Sequence, residues 1–538
     1  MKSFQIANSL VSGSLEFDNF ERVIMNRVNS MWFESHTAEY GVLLATVRFL
    51  RALDKPIPKD LTVNEYINKY VNEYYKIDTE YRKAVTFYRQ IGFPSVEFEQ
   101  LMDVIENSYQ IKFLDVLGPA YSTALSKQDD WDFIGVDMSK DFYRYIQKNP
   151  TKKMFVIISD ALRYEIGYEI FEKIKVNKVL KGGAEISHMI SPLPSITSFG
   201  MASLLPHKSM TYKKHQVLLD DMPTNGVAQR DSILKAKNPN YAAISYEEIN
   251  GFTQKELRNY ISDKNVVYIY HDVIDNAGEH NESKVFDVVE NCIEEIVNLV
   301  KKLYNNLQIS NFYITADHGF IYRRNEVLES NKYSNVVQLN AVETSKRYLI
   351  TADDSITIPN TNEINVDKFF GSHYKVIAPW GYDLFKTQGA GIQYVHGGTS
   401  LQETIVPIIH VSELRSRTDI EVARPVSVRL KSITRKITNR SFTLEFEQME
   451  KVEEKKHPIT CETYIVDESG EKVSNEYKFV ANSSNDDPDT RVTKIRFTLN
   501  NNQFDRNKPY FLILKDVDED EYIEKEQFVI DIIQFKMF

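Results

Sequence analysis

Cysteine is scarce in this chain. Only Cys292 and Cys461 occur in 538 residues. That excludes a disulfide framework and a zinc site built from thiolates, and each thiol reads as an ordinary buried cysteine. Long apolar runs are missing as well. No stretch of about 18 apolar residues appears, so no helix of that kind crosses a membrane. Residues Met1 to Leu10 lack the basic segment and long apolar core of a signal peptide. A cytoplasmic protein is the resulting expectation. Basic charge is not in excess: 65 Lys and Arg face 76 Asp and Glu, a net charge of −11. This argues against a surface coated for nonspecific nucleic-acid binding, though a local basic groove stays open. The chain has no Walker A loop, no glycine-rich dinucleotide fingerprint and no HExxH pair. ATP, NAD and HExxH-type zinc readings fall away with them.

What is present begins with Met154-Phe155-Val156-Ile157-Ile158-Ser159-Asp160. Five apolar residues in a row read as a strand buried on both faces, as in a parallel sheet. Asp160 sits at the end of that strand, where open α/β sheets bind ligands. The pattern recurs at Phe312-Tyr313-Ile314-Thr315-Ala316-Asp317-His318-Gly319. Strands are also expected over Ala184–Ile190, Val266–Tyr270 and Ile405–Val411, with a helix from Ala161 to about Val179 and another from Val285 to Leu303. This alternation over residues 151–412 predicts a doubly wound parallel or mixed sheet. Residues 321–390 are less regular and suit an insertion over the site.

The flanks differ in character. Residues 1–150 read as helical, with Val42, Thr46, Phe49 and Leu53 at helical spacing and breaks at Asp54-Lys55-Pro56-Ile57-Pro58 and Gly118-Pro119. His36 stands alone there and reads as structural. Residues 413–538 alternate: Phe442, Leu444 and Phe446, then Ile495, Phe497 and Leu499. Turn signals between such runs predict an immunoglobulin-like β-sandwich. With 538 residues the chain has room for two to four domains.

Carboxylates and imidazoles gather at the predicted strand ends: Asp160; His271 and Asp275; Asp317 and His318; and, in a loop, His396. Divalent ions take such ligands. Thr197 adds a hydroxyl in the turn Pro194-Ser195-Ile196-Thr197-Ser198-Phe199. Two ions can clamp the attacking and leaving oxygens of an in-line displacement, so the set suits phosphoryl transfer. Each residue also has a plain structural reading. A strand-end Asp caps the next helix, Thr197 or Ser198 could cap as well, and His-Gly-Gly is often only a turn. Asp317-His318-Gly319 is sharper, since two adjacent ligands seldom follow a buried strand by chance. Arg323 and Arg324 come just after it, placed to meet a substrate phosphate. Arg415, Arg417, Arg424, Arg429, Lys431, Arg435, Lys436 and Arg440 make residues 411–440 locally basic. That stretch fits phosphate contact or a solvated sandwich face.

Four segments resemble the motifs of the PglZ family, alkaline-phosphatase-superfamily members of BREX phage-defence systems. They are Asp160-Ala161-Leu162-Arg163-Tyr164-Glu165, Tyr270-His271 through Ile274-Asp275, Asp317-His318-Gly319, and His396-Gly397-Gly398-Thr399-Ser400-Leu401-Gln402-Glu403. The resemblance covers about residues 150–412, and the chain resembles a short or truncated form of a family often longer at its N-terminus. It implies an alkaline-phosphatase-like fold and a pair of zinc ions, with manganese as the other choice. Asp160, Thr197, Asp317 and His318 would hold one ion. Asp275 and His396 would hold the other, together with one of His271, His280 or Glu279. The turn is similar to the nucleophile segment of superfamily phosphodiesterases, which favours Thr197 over Ser198. Related phosphatases place a His four residues after the metal Asp; here that position is Glu279, and the His is His280. The implied function is a metal-dependent phosphodiesterase or nuclease-like hydrolase in antiviral defence. The alternative is a metal-binding scaffold that docks other BREX proteins, including a DNA methyltransferase.

Overall fold

The run Met154–Ser159 forms strand β1, buried along its whole length. In this computed structural model β1 lies inside a six-stranded sheet with β2 (Gly182–Ile190), β3 (Tyr241–Ser245), β4 (Val266–His271), β5 (Phe312–Thr315) and β6 (Ile405–Glu413). The order is β2-β6-β5-β1-β4-β3. β1 pairs in parallel with β4 and β5, and β4 in parallel with β3. β6 runs antiparallel to both β5 and β2. Strand β3 has no counterpart among the expected strands: Tyr241-Ala242-Ala243-Ile244-Ser245 carries two alanines where strands favour branched side chains.

Register positions the site. Ser159 lies opposite His271, and Ile158 opposite Thr315. The residues that follow these strands therefore leave the sheet at one edge. β6 arrives from the other direction, so the segment before Ile405 reaches that edge at the start of a strand rather than at its end.

The structure describes the chain apart from residues 1, 14–16, 29–35, 129, 134, 148–152, 178–181, 326, 334–338, 340, 372, 388–390, 414–423, 454–455, 501–503, 518–520 and 533–538. Val179, the expected end of a helix, and Arg415 and Arg417 lie outside the described residues. The described helix runs Tyr164–Lys175.

Two compact units result: Met1–Phe17 with Ala38–Arg415, and Asp18–Thr37 with Ser416–Phe538. In the first, Val285, Val289, Cys292, Ile296, Leu299 and Leu303 form the buried stripe of helix Val285–Leu307. The 321–390 region contains a four-stranded antiparallel sheet of Glu343–Thr344, Leu349–Thr351, Lys375–Pro379 and Thr361–Asn365. Leu349, Ile356, Ile377 and Phe385 form its core.

N-terminal helices of the same unit are joined to the sheet domain by buried charge. Arg82, fully buried, pairs with Glu165 at 3.1 Å and Glu169 at 2.7 Å, and with Glu290. Arg163 pairs with Asp78 at 2.9 Å. Arg163 and Glu165 of the first motif thus hold the helix Tyr75–Gln90 against the helix after β1. At Gly118-Pro119 the expected break does not occur, and a helix runs Asp115–Leu125 straight through. A π-helical turn precedes it at Ser108–Leu114, the kind of local widening that absorbs an irregularity in a helix. Gly118 has a packing role: a Cβ there would come within 2.7 Å of the Gly381 backbone.

In the second unit a three-stranded and a five-stranded sheet share one core. Ser441–Gln448 pairs on both sides in a three-stranded sheet, and Glu521–Ile530, Tyr510–Asp516 and Ile459–Val466 lie at the middle of a five-stranded one. Leu444, Phe446, Ile495 and Phe497 from the first meet Cys461, Ile465, Leu512 and Phe528 from the second. The basic stretch is largely paired. Arg429 meets Glu447 at 2.8 Å, Lys431 meets Asp489 at 3.3 Å, Arg435 meets Glu526 at 3.0 Å and Lys436 meets Asp531 at 2.6 Å. These pairs suit the solvated-face reading better than a phosphate groove.

Candidate metal centre

Asp160 follows β1 directly, and the backbone turns sharply after it. Ala161 adopts φ +60°, a left-handed conformation that costs a residue with a Cβ about 1–2 kcal/mol. The turn points the Ala161 N–H at Asp317 Oδ1, 3.2 Å away. Asp317 and His318 follow β5, and both are fully buried. His396 comes from the loop before β6, and Asp275 from the helix Val273–His280 after β4.

These side chains form two overlapping groups of potential ligands: Asp160, Asp317 and His318; and Asp275, His318 and His396. Within each, the donor atoms lie within 4.8 Å of one another. His318 Nε2 is 3.5 Å from Asp160 Oδ1 and 3.4 Å from Asp317 Oδ2. His396 Nε2 is 3.5 Å from Asp275 Oδ1. The two imidazoles stack at 4.4 Å.

Thr197 opens the helix Thr197–Ser203, but Ile196 occupies the capping position and no side chain caps that end. The threonine hydroxyl is left to face the cluster. It lies 3.4 Å from Asp160 Oδ1 and 3.2 Å from His318 Nε2. This closeness depends on Gly200, because a Cβ there would come within 2.5 Å of the Asp317 carbonyl oxygen and 2.7 Å of its Cβ.

The cluster is electrostatically unbalanced. Burial raises the Asp160 carboxyl well above its usual range, and the charges of Asp317, Asp275 and Asp272 add to that. Burial and Asp275 raise Asp317 against the pull of His318. Burial and the neighbouring His318 lower His396 to about 4, so its ring is neutral at physiological pH. His318 donates Nδ1–H to the Gly319 carbonyl at 2.9 Å, and Nε2 faces the carboxylates. Asp317 Oδ2 is buried and accepts no hydrogen bond. Crowded carboxylates, two imidazoles with Nε2 facing inward and an orphaned oxygen are the surroundings a divalent cation fits.

The remaining expected residues go elsewhere. His271 ends β4 with Nδ1 3.1 Å from Ser159 Oγ and Nε2 3.0 Å from Glu295, so both ring nitrogens are engaged away from the cluster. His280 is exposed, with Nδ1 on the Asn276 carbonyl at 2.9 Å. Five residues past Asp275, it is turned about 140° around the helix. Glu279, four residues on, shares the face of Asp275. It lines a cleft of about 590 Å³ with Thr197, Lys346, Tyr348 and His396. Burial and Asp275 raise its carboxyl. Helical phase is the signal that singles it out from His280.

Arg323 and Arg324 do not reach the cluster. After Gly319 the chain forms a short strand, Ile321–Tyr322, paired with Tyr394–Val395, and this carries it away. Arg323 enters a separate cavity. Arg324 lies over the Tyr88 ring at 5.2 Å and 3.8 Å from Glu106. Burial lifts the Glu106 carboxyl from an ordinary 4.5 to about 7 despite the hydrogen bond from Tyr81. Between those values the folded chain keeps a proton that the unfolded chain has released, so stability falls as pH rises through the window. Glu106→Gln is expected to remove that fall and to stabilise the chain above pH 7, by on the order of 2 kcal/mol. Melting temperature against pH, compared with the parent, checks it.

The family described as "BREX system PglZ alkaline phosphatase-like domain" matches residues 140–411. The "Alkaline phosphatase-like protein PglZ" of Bacillus cereus is 35% identical over 98% of this chain and 63% of its own length. The "Alkaline phosphatase-like protein BrxZ" of Escherichia coli O9:H4 is 29% identical over 97% of this chain and 62% of its own. The chain thus spans under two thirds of the length of these relatives. Among solved structures, murine ectonucleotide pyrophosphatase/phosphodiesterase 5 aligns at a TM-score of 0.33 and 12% identity, covering 48% of this chain and 88% of that one. That likeness is too loose for its chemistry to bear on this molecule. The family match takes in half of the sequence and the whole candidate centre, and the chain belongs to the PglZ family of alkaline-phosphatase-like BREX proteins.

Proposed function

We propose that residues 151–412 form a metal-dependent phosphoesterase, a phosphodiesterase or nuclease-like hydrolase of BREX antiphage defence, with Thr197 as nucleophile. One observation carries the reading. The Thr197 hydroxyl, uncommitted to capping, lies within 3.4 Å of both Asp160 Oδ1 and His318 Nε2, inside two groups of metal-type ligands. Asp160, Asp317 and His318 would hold one ion; Asp275, His396 and Glu279 the other. Carboxylate and imidazole donors suit zinc or manganese. Ions bound there would supply positive charge against the charge that develops on the phosphoryl oxygens.

The chain's own groups do the rest. Thr197 donates its hydroxyl to Asp160 Oδ1, which fixes the rotamer and leaves a lone pair on Oγ1 facing the cleft. Attack on phosphorus would form the Oγ1–P bond and break the bond to the leaving-group oxygen, which departs with its electron pair and takes up the hydroxyl proton that Oγ1 gives up through Asp160 Oδ1. Water then breaks the Oγ1–P bond and restores the hydroxyl. Lys346 and Tyr348 line the same cleft and limit the room for substrate.

A second reading rests on the imidazole that the two groups share. His318 Nε2 has one lone pair and serves one ion, so a single structural ion is also consistent with the geometry. The chain would then be a scaffold, its helical region 1–150 and an immunoglobulin-like sandwich at 413–538 docking other BREX components, a DNA methyltransferase among them, in the cytoplasm. Metal analysis of the purified chain separates the two. Two ions per chain, both lost on chelation together with hydrolysis of a generic phosphodiester, are expected. Asp317→Asn and His396→Ala are each expected to remove about one ion. One tightly held ion with no turnover would favour the scaffold.

A further inference from the structure

Arg323 is 5% exposed and forms no ion pair among the described residues. Its Nε and Nη2, the two donors on one edge of the guanidinium, have no hydrogen-bond partner. Burial and the neighbouring Arg347 guanidinium press its pKa down to about 10. A buried cation left without a partner lowers stability. Such a group is explained when something absent from the folded chain pairs with it.

Arg323 lines a cavity of about 370 Å³, and so does Trp380, whose Nε1–H is also buried without a partner. Helix Asp115–Leu125 and the Trp380–Asp383 loop build much of the wall, locked together where Gly381 N donates to Ser122 Oγ at 2.9 Å. Tyr333 and Tyr382 add aromatic surface. Two carboxylates complete the lining: Asp115, which accepts from Gln110 at 2.5 Å, and Asp383, which accepts from Asn331 at 2.7 Å. Burial raises both. The cavity shares no lining residue with the cleft at Thr197.

Charge decides what fits. One guanidinium faces two carboxylates, so a free phosphate dianion would be repelled overall. The complement is a flat, neutral ring with two acceptors on one edge and donors on another. Guanine has both. Its O6 and N7 match a guanidinium edge, and its N1–H and 2-amino group are donors for a carboxylate. The aromatic walls suit a base, and the volume is that of a small-molecule pocket.

We propose that this cavity is a guanine-binding site, distinct from the metal centre. The ring would come from a free guanine nucleotide or from an unstacked base of a single strand. Calorimetric titration of the whole chain, under chelation to silence the metal centre, tests it. Guanosine monophosphate is expected to bind roughly ten-fold or more tighter than adenosine monophosphate, with inosine monophosphate between them. Arg323→Met and Trp380→Phe should each weaken the guanine ligand by a similar factor, and Arg323→Met should melt no lower than the parent when free. Trp380→Phe keeps an aromatic ring while removing the Nε1–H, and serves if the arginine variant fails to fold. Tighter binding of a guanine-bearing single strand would assign the base to nucleic acid; tighter binding of the mononucleotide would assign it to a free nucleotide. Equal binding of the guanine and adenine nucleotides, binding of inorganic phosphate alone, or no binding would overturn the proposal.

Discussion

Thr197→Ala is expected to lower phosphodiester turnover by a factor on the order of 10³ or more while leaving the metal content unchanged. The separation of the two readouts matters. Asp160, Asp317 and His318 supply carboxylate and imidazole donors without the threonine, so the ions should stay when the hydroxyl goes. Because the hydroxyl caps no helix, its loss should also leave the melting temperature close to that of the parent. Thr197→Ser, which keeps Oγ, should retain much of the activity. Unchanged turnover in the alanine variant would refute the nucleophile. Loss of turnover together with loss of metal would instead place Thr197 among the groups that hold the ion.

Glu403→Ala should be the most destabilising single change near the site, costing about 3–5 kcal/mol. Glu403 is fully buried and takes Arg347 Nε at 2.9 Å and Nη2 at 2.6 Å. It also accepts from Gly398 N at 2.9 Å, and from Ser400 N at 3.2 Å and Ser400 Oγ at 2.6 Å. Burial opposes its charge, but Arg347 and these donors outweigh that and hold the carboxyl below its usual range. The stability it contributes is therefore present above the ordinary glutamate range and is lost as pH falls. Truncation leaves the Arg347 guanidinium buried and unpaired, and frees the loop that carries His396. A lower melting temperature and a drop in metal occupancy are expected together. Glu403→Gln keeps an acceptor for Gly398 N and should fall between parent and alanine variant. A melting temperature unchanged by Glu403→Ala would refute this account of the loop.

Much of this arrangement is legible in the chain because it obeys local rules. A short apolar run followed by a carboxylate marks a buried parallel strand and its ligand edge, and β1 and β5 with Asp160 and Asp317 follow that pattern. His396 breaks it. It precedes an antiparallel strand, so no strand-end rule points to it, and only its His-Gly-Gly motif draws attention. Glu279 and His280 differ in helical phase, and only Glu279 shares the face of Asp275, which becomes clear once the helix is known to start at Val273. The roles of Arg163, Glu165 and Glu403 are not legible at all. They sit in the same motifs as the candidate ligands, yet their partners Asp78, Arg82 and Arg347 lie far away along the sequence. Arg323 and Arg324 mislead for a related reason: nearness to Asp317 in sequence says nothing about where a two-residue strand then takes the chain.

At position 200 the absence of a side chain sets the spacing between the threonine turn and the floor beneath it. One added methyl would act as a wedge between the Thr197 helix and Asp317, lifting the hydroxyl off its two neighbours. Lys346 and Tyr348 line the same cleft from the turn between two strands of the four-stranded sheet. The two flank Arg347, the partner of Glu403, so this side of the cleft is tied to the loop that carries His396.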